Sequence, residues 1–305
     1  MIEINNETKG RLYDNCPMSR VKTEEKALKY GRDAANMIKE GIKNKVNAIW
    51  LETSGCFGEV ISLLNSENPE IPYILRDMIN VTFLGSISGE QGENAIKTIY
   101  KTMESEFILL ICGAIPTKSN GLYTRLGEYN GKIITATELV PQLADKAKHV
   151  ICVGTCACYG GPTAGRPNLS QALSIPDYLE DKNIIRLPGC PTNPIWTVGT
   201  IGYLISRGIP KLDKDGRPLD FYGETIHDNC PRRRYFDNGV FATKLGEPEC
   251  MYALGCRGPI TNALCPINRW NGSDNWPVGD NTPCIGCAGP GFPDKTAPYV
   301  TYGGE

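Results

Sequence analysis

The sequence predicts an α/β protein in which a doubly wound parallel sheet is followed by a loop-rich segment. From residue 47 to about 208, short runs of β-forming residues alternate with helical patterns, which is typical of parallel sheets covered by helices on both faces. From about residue 211 this periodicity stops, and Gly, Pro and cysteine become frequent. We therefore expect an N-terminal extension, partly helical, over 1–46, a sheet domain over 47–210 and a loop-rich domain over 211–305.

Each predicted strand or helix is a run of residues in which the apolar side chains recur as that element requires. The predicted strands, in chain order, are 47–52, 80–85, 107–112, 132–136, 149–154 and 183–188. The predicted helices are 24–43, 59–64, 93–103, 137–147 and 194–208. Strands of this length that are separated by helices indicate βαβ units, so the sheet strands should run parallel.

Charge and hydropathy exclude several classes of function. The chain has 305 residues, and its 32 Lys and Arg nearly balance its 34 Asp and Glu, whereas a nucleic-acid binder is expected to be basic. No apolar run approaches the length of a membrane span, and the N-terminus shows neither a charged nor an apolar signal region. We therefore expect no nucleic-acid partner, no transmembrane segment and a cytoplasmic location.

Cysteine is the most informative residue type in this chain. Thirteen cysteines in a cytosolic protein of this length do not indicate a disulfide framework, because the cytosol keeps thiols reduced. Metal ligation is the alternative, although some cysteines are ordinary small core residues. Their placement in the predicted fold therefore decides which of them are candidate ligands.

Four cysteines lie at the carboxyl ends of predicted strands. They are Cys56, Cys112, Cys156 and Cys190. The loops at these ends converge on one crevice in open α/β sheets, so the four side chains should meet there as metal ligands, unless they are unligated core cysteines. Cys152 lies inside its strand and should be core, whereas Cys158 fits either role.

The C-terminal segment holds a second, denser set of candidate ligands. They are His227, Cys230, Cys250, Cys256, Cys265, Cys284 and Cys287. Seven ligands divide into a group of four and a group of three. Zinc suits one histidine with three cysteines but leaves three cysteines as an incomplete site, so iron-sulfur clusters are the better interpretation.

Several motifs together resemble the small subunit of nickel-iron hydrogenases. They are 50-WLETSGC-56, 113-GAIPT-117, 154-GTCACYGG-161, 188-PGCPTNP-194, 227-HDNCPRR-233, 250-CMYALGCRGP-259, 264-LCPINRWN-271, 275-NWPV-278 and 283-PCIGC-287. The resemblance covers about 47–292. It implies a flavodoxin-like domain with a proximal cluster that faces the nickel-iron centre of a large subunit, and a tail with a medial and a distal cluster.

The resemblance also implies ligands for each cluster. A proximal 4Fe-4S cluster would use Cys56, Cys156 and Cys190, a distal 4Fe-4S cluster His227, Cys230, Cys250 and Cys256, and a medial cluster Cys265, Cys284 and Cys287. Pro277 stands where a fourth medial cysteine would make a 4Fe centre, so the medial cluster should be 3Fe-4S. Two further cysteines linked to oxygen tolerance are replaced by Gly58 and Gly161.

The proximal site departs from the family pattern at two positions. Glu59 stands where the family usually has a second cysteine, and Cys112 stands where it usually has a glutamate. We expect Cys112 to be the fourth ligand, with Glu59 beside the cluster. Alternatively, Glu59 binds the fourth iron, or the position is open and the cluster is 3Fe. A thiolate matches cluster iron better than a hard carboxylate does.

The implied activity is reversible oxidation of dihydrogen by a complex in which this chain is an electron relay. The chain offers only one CxxC motif, so it should not hold a nickel-iron centre and should have no catalytic residue of its own. The implied partners are a hydrogenase large subunit and a redox protein or further subunit, in a dimer of heterodimers. Alternatives are a hydrogen-sensing complex of the same architecture, a stand-alone multi-cluster carrier and a structural zinc protein.

Overall fold

Five parallel strands form the central sheet of the protein. The computed structural model describes residues 17–67, 69–180, 183–271 and 273–302, with side chains from residue 23 onward. Together with four strands that form two small separate sheets, the strands in chain order are β1 (Val46–Glu52), β2 (Ile79–Leu84), β3 (Phe107–Cys112), β4 (Ile115–Pro116), β5 (Arg125–Tyr129), β6 (Lys132–Thr135), β7 (His149–Val153), β8 (Ala172–Leu173) and β9 (Ile185–Leu187). The sheet order is β2-β1-β3-β7-β9, which is the flavodoxin-like order. The predicted fold class is confirmed.

Helices cover both faces of this sheet. They are α1 (Pro17–Lys39), α2 (Gly58–Leu64), α3 (Ile71–Tyr73), α4 (Gly92–Thr102), α5 (Ala136–Lys146), α6 (Thr155–Tyr159), α7 (Ile175–Leu179), α8 (Pro194–Arg207), α9 (Leu219–Tyr222), α10 (Arg233–Asp237) and α11 (Cys265–Asn268). A π-helical turn over Ile74–Met78 follows α3. Every residue of β3 is buried, because this central strand is covered on both faces.

One predicted strand lies outside the parallel sheet. We expected 132–136 among the sheet strands, but β6 pairs antiparallel with β5, with Tyr129 opposite Lys132. The intervening Asn130 and Gly131 both have positive φ, at 50° and 71°. An Asn-Gly pair in this conformation makes a two-residue hairpin turn, which forces its flanking strands to pair with each other.

Helix α1 packs directly against α8. A side-chain carbon added at Gly202 would lie 2.6 Å from the backbone nitrogen of Gly31, and one added at Gly199 would lie 2.8 Å from the Ala27 methyl carbon. The absence of side chains at these two glycines lets the helices approach closely. Residues 1–16 of the predicted extension lie outside the described residues.

The segment after α9 has little regular structure but shares the core of the sheet domain. Its helical pieces are short, and it contributes Ile226, Leu264, Ile267 and Trp276 to a hydrophobic cluster that also contains Trp50. Among the residues that the structure describes, no helix is long and apolar enough to cross a membrane.

Candidate metal centres

A cavity opens at the carboxyl edge of the sheet. Four cysteines line it, together with Glu59: Cys56 from the loop after β1, Cys112 from the end of β3, Cys156 from α6 and Cys190 from the loop after β9. Cys112 is buried, Cys156 and Cys190 are half-buried and Cys56 is exposed. The fold therefore places the four predicted strand-end thiols around one space. Cys152 and Cys158 are both fully buried, and the Cys158 thiol points to the Cys152 carbonyl oxygen at 3.4 Å.

Glycines hold the backbone close to two of these sulfur atoms. A side-chain carbon at Gly58 would lie 3.2 Å from the Cys56 sulfur, and one at Gly161 would lie 3.0 Å from the Cys156 sulfur. Gly161 also has a φ of 50°, which favours glycine. Beside these two thiols the cavity wall is therefore bare backbone, which leaves space for a bulky inorganic group.

Glu59 reaches the same cavity from the start of α2. The backbone N–H of Thr192 donates to its Oε2 at 2.8 Å, and the carboxylate packs against Gly154. Burial raises the pKa of Glu59 to about 7, although the hydrogen bonds from Thr192 oppose this effect. One carboxylate oxygen is thus held by the protein backbone.

Cys112 is the most enclosed thiol of the cavity. It closes β3 opposite Glu52 of β1, and burial raises its pKa well above the usual value for a thiol. The free thiol is therefore protonated. Binding to iron would remove this proton, because a thiol that coordinates a metal is deprotonated.

The predicted distal ligands lie in the loops around α10. Burial, together with the nearby thiols of Cys256 and Cys250, raises the pKa of Cys230 to about 11. The His227 ring packs edge-on against Phe236, with 4.5 Å between the ring centroids. Burial also lowers the pKa of His227 below its usual value, which favours the neutral form that binds metals.

The three predicted medial cysteines are close enough to influence one another. Burial, followed by the charges of neighbouring thiols including Cys287 and Cys265, raises the pKa of Cys284 far above its usual value. The backbone N–H of Gly286 donates to the Cys284 sulfur at 3.4 Å. Pro277 lies in a turn where its carbonyl oxygen accepts a hydrogen bond from the Thr282 hydroxyl at 2.8 Å. Its side chain has no atom that could bind iron.

These three cysteine groups adjoin one another in space. The Thr155 hydroxyl, next to Cys156, donates to the carbonyl oxygen of Cys287, so the predicted proximal and medial groups adjoin. The backbone N–H of Arg257, next to Cys256, donates to the carbonyl oxygen of Cys284 at 2.7 Å, so the predicted medial and distal groups adjoin. The order is proximal, medial, distal. Among the described residues, no three His, Cys, Asp or Glu side chains are arranged to hold a single metal ion.

The sequence did not indicate the contacts of some side chains at these sites. Thr192 fixes Glu59, and the Thr163 hydroxyl donates to the Cys156 sulfur at 3.3 Å. Two buried indole N–H groups, of Trp50 and Trp276, have no hydrogen-bond acceptor in the part of the chain that the structure describes. Thr192 and the two tryptophans lie in motifs that carried the resemblance, but only the fold shows what they contact.

Each half of the chain matches the model of a known protein family. Residues 222–300 match the model of the C-terminal part of the NiFe/NiFeSe hydrogenase small subunit, and residues 56–204 match that of the 20 kDa subunit of NADH ubiquinone oxidoreductase. The periplasmic [NiFeSe] hydrogenase small subunit of Desulfomicrobium baculatum is 40% identical over 279 residues, which are 85% of this chain and 88% of the relative. The chain belongs to the NiFe/NiFeSe hydrogenase small-subunit family.

Two further similarities agree. The periplasmic [NiFe] hydrogenase small subunit of Solidesulfovibrio fructosivorans is 35% identical over 86% of this chain and 83% of its own length. A crystal structure of a reduced, active form of the Ni-Fe-Se hydrogenase from Desulfomicrobium baculatum superposes with a TM-score of 0.80 at 38% identity, covering 85% of this chain and 99% of that one. As a small subunit, the chain is part of a hydrogenase complex and pairs with a large subunit.

The expected cytoplasmic location is wrong. Both of these relatives are periplasmic small subunits, and they align with most of this chain. The expectation rested on the lack of a recognisable signal region and of a membrane-spanning run in the sequence. Such features are weak evidence about a compartment, because a targeting signal is a short segment separate from the fold.

Proposed function

We propose that this small subunit relays electrons between the nickel-iron site of its large subunit and an external acceptor during reversible oxidation of dihydrogen. The observation that carries this proposal is the continuous line of cysteine groups, in which Thr155, next to Cys156, donates to the Cys287 carbonyl oxygen and Arg257, next to Cys256, donates to the Cys284 carbonyl oxygen. A relay needs its redox centres in such a sequence, and isolated structural metal sites do not.

Three clusters would occupy this line. The proposed proximal 4Fe-4S cluster is held by Cys56, Cys112, Cys156 and Cys190, the distal 4Fe-4S cluster by His227, Cys230, Cys250 and Cys256, and the medial 3Fe-4S cluster by Cys265, Cys284 and Cys287. When bound, the clusters supply one-electron oxidation and reduction. The donor sets fit, because thiols and an imidazole are the usual ligands of such clusters.

The residues of this chain hold, bury and tune those centres. Burial of Cys284 and Cys112 excludes water from their sulfur atoms. The Gly286 N–H and the Thr163 hydroxyl donate to ligand sulfurs. Such hydrogen bonds and solvent exclusion set cluster potentials.

The proposal extends to organisation and partners. We propose that residues 47–210 hold the proximal cluster and 211–305 the other two, with 1–46 as an extension. The proposed assembly is a dimer of heterodimers that exchanges electrons with a redox protein or a further subunit. Support for this assembly comes from the family resemblance.

Breaking the relay in the middle tests the proposed function. In the purified complex, Cys284→Ser should strongly reduce hydrogen-dependent reduction of an external acceptor, because electrons must cross the medial centre. Exchange of deuterium gas with water protons, which needs only the large subunit's site, should continue. Cys152→Ser is the matched control, since that cysteine is buried inside β7, away from the cavity.

The two activities then separate the possible results. Acceptor reduction at the normal rate in a Cys284→Ser complex that lacks its medial signal would overturn the relay. A very low turnover of the unchanged complex with every artificial acceptor would instead favour the hydrogen-sensing alternative.

A further inference from the structure

The indole N–H of Trp50 is a hydrogen-bond donor that lies in the core of the protein. Its side chain is 3% exposed, and its indole N–H has no hydrogen-bond acceptor among the described residues. A buried donor without an acceptor is costly and calls for an explanation. Trp196, another buried tryptophan, donates its indole N–H to the side-chain oxygen of Asn268 at 2.9 Å.

The sheet register directs Trp50 toward Cys112. Trp50 of β1 pairs with Leu110 of β3, and the next pair on the same face is Glu52 with Cys112. Trp50 and Cys112 belong to the same hydrophobic cluster, so the indole and the thiol lie on the same covered face of the sheet.

Glu52 does not compete for this donor. Its Oε1 accepts a hydrogen bond from the Ser86 hydroxyl at 2.5 Å, and its Oε2 faces Gly85 beyond β2. The carboxylate therefore points across the sheet, away from β3. The Cys112 sulfur remains as the acceptor that the register offers to the indole.

We propose that Trp50 donates its indole N–H to the sulfur of Cys112 when Cys112 binds the proximal cluster, and thereby raises the cluster's reduction potential. This inference rests on the proposed function and deepens it. A thiolate is a much better hydrogen-bond acceptor than a protonated thiol, so ligation of Cys112 would give the Trp50 N–H its acceptor. Trp50 acts through Cys112 and is a positioning residue.

The direction of the effect follows from charge. Reduction adds an electron to a cluster that its thiolates already make negative. A donor at a ligand sulfur stabilises that charge, so its removal should make reduction harder and shift the midpoint potential downward. Loss of the N–H should not remove iron, because the Cys112 sulfur itself is retained.

Trp50→Phe in the whole complex tests the inference. We expect unchanged iron and sulfide content, a lower midpoint potential of the proximal cluster and unchanged potentials of the other two. Trp270→Phe is the control, since that tryptophan is 38% exposed and should leave all three potentials unchanged. A Trp50→Phe complex with an intact proximal cluster and an unchanged midpoint would overturn the inference.

A second measurement needs no variant and therefore does not depend on folding. The unmodified complex is labelled with indole-¹⁵N tryptophan, and the reduced proximal cluster is examined by pulsed electron paramagnetic resonance. A ¹⁵N coupling and an exchangeable proton coupling at this cluster are expected, and absence of both would overturn the inference. Absence of any proximal cluster signal would instead contradict the proposed function.

Discussion

At the residue scale, the proposed fourth ligand of the proximal cluster is the least conventional feature of this chain. Cys112 and Glu59 line the same cavity, but their surroundings differ. Glu59 already accepts a hydrogen bond from the Thr192 backbone, whereas Cys112 is buried at the end of β3 and places its thiol in the cavity. Soft sulfur also suits cluster iron better than carboxylate oxygen does. The contacts and the chemistry therefore both favour Cys112 as the ligand.

Separate changes at these two residues distinguish their roles. Cys112→Ala should convert the proximal centre to a 3Fe species or remove it, because one thiolate is lost. Glu59→Gln keeps a hydrogen-bond acceptor for Thr192 and should leave the cluster type unchanged. Electron paramagnetic resonance and Mössbauer spectra of the two complexes provide the comparison. An intact cluster in Cys112→Ala together with a degraded one in Glu59→Gln would assign the iron to the carboxylate.

Pro277 carries a second prediction about cluster type. Pro277→Cys should convert the medial 3Fe-4S cluster to 4Fe-4S and lower its potential, because a thiolate and a fourth iron are added. The loss of the 3Fe signal in oxidised samples, with about one extra iron per complex, is the expected measurement. Pro277→Ala, which supplies no ligand, is the control. A persistent 3Fe signal in the cysteine variant would contradict this prediction, because residue 277 would then not be the position of the fourth medial ligand.

At the scale of secondary-structure elements, the sequence predicted strands and helices well wherever the apolar residues followed one local pattern. Strand β3 has the predicted bounds, because a buried central strand is a continuous apolar run. The assignment of β6 to the main sheet failed because the Asn130-Gly131 turn, and not the apolar pattern, decides which strand it pairs with. The meeting of four strand-end cysteines followed from parallel topology. The position of Glu59 did not, since it depends on Thr192, which lies far away in sequence.

The contact between α1 and α8 gives a prediction about stability. Alanine normally favours a helix over glycine by about 1 kcal/mol. Gly202→Ala should nevertheless destabilise the protein by about 1–3 kcal/mol, because the added carbon would meet the backbone of α1 at Gly31. Chemical denaturation of the complex measures the change. Gly89→Ala is the matched control, since no atom lies within 4 Å of a carbon added there. Equal free energies of unfolding for the two variants would contradict this prediction, because the two helices would then move apart without loss of stability.

At the scale of the whole molecule, one hydrophobic cluster unites the sheet domain with the cysteine-rich tail. Trp50 and Leu110 of the sheet share it with Leu264 and Trp276 of the tail. The Thr155 hydroxyl of the sheet domain also donates to the carbonyl oxygen of Cys287 in the tail. The proposed relay would thus depend on packing between segments that are far apart in sequence, and not on any single loop.

The iron and sulfide content of the intact complex tests the three-cluster relay most directly. After subtraction of the iron in the large subunit's nickel-iron centre, about eleven irons and three separately titrating clusters are predicted, from two 4Fe-4S centres and one 3Fe-4S centre. Acid-labile sulfide should be present in similar amount. Fewer than two clusters in a fully reconstituted complex, or zinc in place of iron and sulfide, would contradict the relay.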